Sequence, residues 1–256
     1  MRHRADRPQT QRGKTPPEAA ERRLTGGDRR GMLLDFDHTL FDTDRFFWVD
    51  LKSAFARFGV PDDAWEESYE ATWPSGYSLQ KHLDELNREG AISKPATPRT
   101  MLAALDRSFF DLRPYLFPDV PGFLDTARHQ GFDLILLSFG DPAWQSYKVR
   151  ASGLASTFQK IVYTSIQQKG KAELLDELGP RYAVLHAIDN NPAELDAMKA
   201  RNSRLQTHLI CRVEPSSLKE ANAAFPDRFR EAARYMAVPS RFPHHRCSSL
   251  FEVSLT

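Results

Sequence analysis

From Gly31 a short apolar run, Met32-Leu33-Leu34, passes directly into the polar stretch that starts at Asp35, the pattern of a buried strand delivering polar residues at its carboxyl end. Residues 44–116 read as helices. Phe47, Leu51, Phe55 and Phe58 recur at helical spacing and stop at Gly59-Val60-Pro61. Ser78 is placed to cap a helix carrying Leu79, Leu83 and Leu86 that ends at Gly90, and Pro98 suits the first turn of one carrying Met101, Leu102, Leu105 and Phe109. Beyond Pro118-Asp119-Val120-Pro121-Gly122 the pattern alternates, with strands expected over 132–138, 160–165, 182–189 and 206–213 and helices near 142–152, 170–178 and 192–201.

That alternation predicts an α/β fold: a Rossmann-like parallel sheet with right-handed crossovers and helices on both faces. Residues 31–43 and 117–238 are expected to form this core, with 44–116 as an inserted α-helical cap over the carboxyl edge of the sheet, where ligands of open α/β sheets bind. Residues 1–30, rich in Arg, Pro, Gly, Gln and Thr and without hydrophobic periodicity, are expected to be a disordered basic tail. The C-terminal tail 239–256 receives no assignment.

Composition narrows the class. The 35 Lys/Arg and 34 Asp/Glu nearly cancel, so nucleic acid is not an expected partner, and the surplus of nine basic over four acidic residues in 1–30 is the one hint in that direction. Two cysteines, Cys211 and Cys247, build no disulfide framework, and no apolar run approaches the roughly 18–20 residues that span a bilayer. The basic start lacks the apolar stretch of a secretory signal, so a cytoplasmic protein without membrane contact is expected, of open oligomeric state.

Asp35 and Asp37 stand two apart at a strand end, a spacing that can put both carboxylates on one side, near enough to share a metal ion. An aspartate, with an ordinary pKa of about 3.9, is ionised at neutral pH and can attack without a base. Its difficulty in front of a phosphate is repulsion, about 1 kcal/mol for unit charges 4 Å apart in water and more where water is excluded, so cations and donors are required. Later strand ends offer them. Ser138 ends an apolar run beside Gly140; Gln167-Gln168-Lys169-Gly170-Lys171 sets a lysine at a helix start; Asp189, with Asn190, Asn191 and Glu194 after it, suits a hard cation.

Taken in order, these motifs resemble the haloacid-dehalogenase-like superfamily of phosphohydrolases over roughly residues 31–213. Asp35, Asp37 and Thr39 match its Asp-x-Asp-x-Thr motif, Ser138 the second, Lys169 the third, and Asp189 with Glu194 the fourth. The resemblance implies a Mg2+-dependent phosphatase: Asp35 attacks phosphorus, Asp37 protonates the leaving oxygen and then activates the water that cleaves an aspartyl-phosphate. It implies metal binding by Asp35, Asp37 through its backbone carbonyl, Asp189 and Glu194, and phosphate binding by Ser138, Lys169 and Thr39. Asn190 and Asn191 are the alternative to Glu194, and Lys171 the alternative to Lys169, which is preferred because it directly precedes Gly170. Dehalogenating members lack an aspartate at the position of Asp37.

A small phosphorylated metabolite is thus the expected substrate. A catalytically inactive binding or regulatory protein and a phosphotransferase with the same intermediate are the alternatives. His38 is read as structural, Asp42 and Asp44 as turn and cap residues leading into the insert, and His244-His245 as part of a solvated tail. Trp48 and Trp65 are expected in the insert's own core. The loop 73–77 is open between core and pocket, and Gln145 and Lys148 face the cleft by proximity alone.

Overall fold

The computed structural model describes residues 29–165, 170–213 and 228–255. Of the tail expected over 1–30, residues 1–28 lie outside the described residues, as do Lys169 and 214–227, while Arg30 already pairs with Phe132 in the first strand of the sheet. Six strands, β1 (Arg30–Leu34), β2 (Phe132–Phe139), β3 (Lys160–Thr164), β4 (Val184–Asp189), β5 (Gln206–Ile210) and β6 (His245–Cys247), form one sheet in the order β3-β2-β1-β4-β5-β6. Every pairing is parallel. Strands buried on both faces require near-continuous apolar sequence, and successive side chains enter different layers while those two apart share one. Met32 and Leu34 accordingly join one core with Phe123, Leu124 and Val149, while Leu33 joins the other with Ile135, Leu137, Leu195 and Met198.

The helices covering the sheet are α5 (Val120–His129), α6 (Pro142–Ala151), α7 (Leu175–Leu178) and α8 (Pro192–Arg201), preceded in the chain by α1 (Lys52–Ala56), α2 (Asp62–Thr72), α3 (Leu79–Arg88) and α4 (Pro98–Ser108), all between β1 and β2. A π-wound turn, Arg45–Leu51, runs into α1. Ser78 caps α3 by accepting from Lys81 N, and Thr97 closes a capping box ahead of Pro98. The insertion has its own aromatic core. Trp48 and Trp65 are both buried, their rings 5.1 Å apart and edge-on. His82 donates from Nε2 to the Trp65 carbonyl and accepts the Tyr77 hydroxyl at Nδ1, and burial pushes its pKa down to about 4, so the ring is neutral.

Three sequence expectations change here. The stretch 170–178 is not one continuous α-helix: a 3-10 turn, Ala172–Leu174, leads into the four-residue α7. The tail 239–256 is not an appendage: β6 pairs with β5, and Cys211 N donates to the Cys247 carbonyl at 2.7 Å. Asp196 accepts from Arg241 N, Phe242 N and His244 Nε2, while Asp119 accepts from Arg212, Ser249 Oγ and Leu250 N. These polar anchors, which carry no periodic signature, hold the tail down, and His244 is buried among them rather than solvated. Asp44, finally, does not cap the insert's entry. Its carboxylate accepts from the backbone N–H of Glu231 and Ala232 at the start of α9 (Arg230–Met236). Among the described residues no helix is long and apolar enough to cross a membrane.

Candidate active site

Register places the first two acids. Leu34 lies opposite Ile188, and Asp35 N donates to the Ile188 carbonyl, so Asp35 and Asp189 arrive side by side at the carboxyl edge. Lys171 lies between them: its Nζ donates to Asp35 Oδ1 at 2.6 Å and to Asp189 Oδ2 at 2.7 Å, with all three side chains buried. Burial raises the pKa of Asp35, the Lys171 ammonium opposes that rise, and the neighbouring Asp189 charge adds to it. Two buried carboxylates against one ammonium leave an unbalanced negative charge.

Asp37 is held separately. It accepts from Thr43 Oγ1 at 2.7 Å, from Gln145 Nε2 at 3.0 Å and from the Lys148 ammonium, which also lies over the Phe36 and Phe41 rings at 5.5 and 5.7 Å. Burial pushes Asp37 up, but the Lys148 charge and hydrogen bond together with Thr43 outweigh it and hold the carboxyl below its ordinary range. Gln145 and Lys148 both come from α6, which Asp141 caps by accepting from Ala143 N and Trp144 N. The helix after β2 thus presents its polar face to the second acid.

A cavity of about 390 Å³ opens above these groups. Asp35, Asp37, Lys171, Asp189, Asn190, Asn191 and Glu194 line its polar side, and Phe46, Phe47, Trp73, Tyr77 and Trp144 are among the rings that form its walls. Of the residues expected from sequence, Asp35, Asp37, Asp189 and Glu194 come together. Thr39 is buried and donates to Asp35 Oδ2 at 2.9 Å, so it orients that carboxylate. Ser138 is buried with no hydrogen-bond partner for its hydroxyl among the described residues, and the cavity wall at that strand end is formed by Phe139 and Gly140. Lys171, the alternative to Lys169 for the phosphate-binding lysine, lies between the two acids; Lys169 itself is outside the described residues.

The contribution of α9 had no sequence signal. Glu231, Arg234 and Tyr235 line the cavity although nearly 200 residues separate them from Asp35. Glu231 accepts from Tyr69 OH of the insertion at 2.6 Å and faces His38 Nε2 at 3.2 Å, so one carboxylate ties α2 to the loop after β1. Burial works against charge on His38, but the Glu231 hydrogen bond and the Asp44 and Glu231 charges raise its pKa to about 9. His38 is therefore an imidazolium in a buried ion pair, at a positive φ of 59° that His tolerates better than most residues.

A family model described as haloacid dehalogenase-like hydrolase matches residues 32–184. No curated protein sequence matches. Among solved structures, one of a haloacid dehalogenase-like hydrolase from Burkholderia xenovorans LB400 is 21% identical, covering 87% of this chain and 94% of that one at a TM-score of 0.60. The L-2-haloacid dehalogenase from Xanthobacter autotrophicus is 16% identical over 87% and 95% of the two chains, with a TM-score of 0.57. At such identities the likeness is one of fold.

Proposed function

The chain belongs to the haloacid dehalogenase-like hydrolase family, and from that premise we propose that it hydrolyses a small phosphate monoester through an aspartyl-phosphate on Asp35. The observation that carries this reading is Asp37: a second carboxylate, fixed by Thr43, Gln145 and Lys148 on the same cavity as Asp35. A halide leaves without a proton. An alkoxide needs one, and a held carboxyl beside the nucleophile is what supplies it.

In the first step an Asp35 oxygen, oriented by Thr39 and Lys171, attacks phosphorus; a P–O bond to Asp35 forms and the ester P–O bond breaks. The proton for the leaving oxygen comes from Asp37. At rest Lys148 keeps Asp37 ionised, and an arriving phosphate monoanion both competes for that ammonium and raises the carboxylate's proton affinity, so that the phosphate's own proton passes to Asp37 before it is given to the leaving oxygen. In the second step Asp37, again a base, takes a proton from water as its oxygen bonds to phosphorus and releases Asp35. Lys171 remains against Asp35, and the Ser138 hydroxyl, unpartnered among the described residues, makes its bond to a phosphoryl oxygen. The insertion, as a cap, walls the substrate in with Phe46, Phe47, Trp73 and Tyr77, which favours a substrate with an apolar or aromatic organic part.

The donor set fits Mg2+. Asp35 and Asp189 are hard oxygen ligands with net negative charge, and Asn190, Asn191 and Glu194 line the same cavity. When bound, the ion would neutralise the charge shared by Asp35 and a phosphoryl oxygen. The test is phosphate release from an aryl phosphate with Mg2+, followed by a panel of phosphorylated metabolites. Release that vanishes in Asp35→Asn is expected. Halide release from a 2-haloacid without phosphate release would establish a dehalogenase instead, no turnover with any divalent metal a binding protein, and transfer to an alcohol in place of water a phosphotransferase.

A further inference from the structure

Two strand spacings along the sheet from Asp35, at its β6 edge, three side chains with metal-binding chemistry converge. His208 of β5 stands directly opposite His245 of β6, and Cys247, two residues on, shares the side of the strand with His245. The ligand atoms of His208, His245 and Cys247 all lie within 4.8 Å of one another. His245 Nδ1 is 3.4 Å from His208 Nδ1 and 3.2 Å from Cys247 Sγ. In a tetrahedral zinc site with Zn–N near 2.05 Å and Zn–S near 2.3 Å, N···N and N···S edges are about 3.3 and 3.6 Å. The N···N edge already has that length, and the N···S edge would need to open by about 0.4 Å.

The surroundings complete the pattern. The other nitrogen of His208, Nε2, is 3.0 Å from His186 Nδ1, and the two rings are stacked at 5.2 Å. A ligating histidine commonly donates its second N–H to a fixed acceptor, which sets the tautomer and orients the ring. With Nε2–H directed to His186, His208 Nδ1 is a lone pair. It then faces His245 Nδ1, which in turn faces the Cys247 sulfur. Two ring nitrogens and a sulfur converge on one point, an arrangement that a cation stabilises. His208 and Cys247 are buried while His245 is exposed on the edge strand, so the point is open to solvent from one side.

We propose that His208, His245 and Cys247 form a site for a thiophilic divalent transition metal of the zinc class, with water as the fourth ligand and His186 as the orienting partner. Imidazole and thiolate select such ions over Mg2+, whereas the carboxylate cavity selects the reverse, so the two sites take different metals. In the sheet order β5 and β6, which carry this site, lie two strand spacings from β1 and β4, which carry the acids, about 10 Å at roughly 4.8 Å per strand. Cys247 binds as thiolate, its proton passing to solvent. The proposal is independent of the phosphatase reading.

The test uses the full chain, stripped with a chelator and titrated with Co2+ as the probe. The expected result is a near-ultraviolet thiolate-to-cobalt charge-transfer band that saturates at one equivalent and is bleached by Zn2+. It should be lost in Cys247→Ser, weakened at least tenfold in affinity in His245→Ala, and unchanged in Cys211→Ser. Cobalt held by carboxylates alone gives no such band. Absence of the band in the wild type, its persistence in Cys247→Ser, or its loss in Cys211→Ser would overturn the proposal. Should Cys247→Ser fail to fold, the exposed position decides: a folded His245→Ala protein with wild-type cobalt affinity overturns it equally.

Discussion

Lys171 sets its ammonium between two buried carboxylates, 2.6 Å from Oδ1 of Asp35 and 2.7 Å from Oδ2 of Asp189. It thereby does two things at once: it keeps an anionic nucleophile tolerable in a buried site and leaves one negative charge uncancelled for a cation. Lys171→Met should lower kcat/KM for an aryl phosphate by about 10²- to 10³-fold, the usual cost of losing one charge-stabilising donor. Without metal it should also destabilise the fold by about 3–5 kcal/mol, since it strands two buried carboxylates, and added Mg2+ should recover part of that in a thermal melt. Lys169→Met should leave kcat/KM near wild type. Equal losses in the two variants would return the role to Lys169.

Asp37→Asn preserves the size of the side chain and its contacts with Thr43 and Lys148 but removes the exchangeable proton. A drop in kcat of about 10²- to 10⁴-fold is expected, the range of a lost general acid and base. Steady-state kinetics on one aryl ester with a good leaving group and one alkyl ester with a poor one should show the larger loss for the alkyl ester, whose alkoxide needs the proton more. An equal loss for both would argue that Asp37 acts only by charge.

Gly140 links the backbone to that acid. Its φ of +139° suits glycine, and a Cβ added there would lie 2.6 Å from Gln145 Nε2, the atom that donates to Asp37. Gly140→Ala should therefore cost about 1–3 kcal/mol in backbone strain and reduce kcat by displacing Gln145. In a Gln145→Ala background the kinetic part of the penalty should disappear while the strain remains. Fully additive kinetic effects in the double variant would show that the two residues do not communicate.

What the sequence made legible follows from what a linear pattern can encode. The apolar run before Asp35 and its repeats before Ser138 and Asp189 specify buried parallel strands, so the sheet and the meeting of Asp35 with Asp189 could be read from alternation and register. The choice between Lys169 and Lys171 could not, because it depends on how a short 3-10 turn aims a flexible side chain. Lys148 and Gln145 were visible only as neighbours of Ser138; that they serve Asp37 is a consequence of helical spacing after the Asp141 cap. Glu231 and Tyr235 lie in a seven-residue helix with an unremarkable composition, brought to the cavity by Asp44 and His38 through polar contacts. Strand β6 was missed for the same reason. It is three residues long and anchored by Asp119 and Asp196 rather than by hydrophobic periodicity.

The His38–Glu231 pair gives the fold a pH dependence that can be isolated. The folded pKa of His38, about 9, lies above its ordinary value of 6.5. Its stabilising contribution is therefore fully present below about pH 6.5 and is lost as pH rises through about 9. The shift corresponds to at most on the order of 3 kcal/mol. Because His38 sits at positive φ, the control is His38→Asn, which tolerates that backbone and carries no charge. Chemical denaturation of both proteins from pH 6 to pH 10 should show the wild type more stable at pH 6, with the difference shrinking through pH 8 and closing near pH 10. The same titration should loosen the tie between Glu231 and the insertion residue Tyr69, since Glu231 then holds its charge without a cation beside it. Faster proteolysis of the insertion at pH 9.5 than at pH 7 would report that loosening. A stability difference that stays constant across the whole range would show that His38 is not charged in the folded protein.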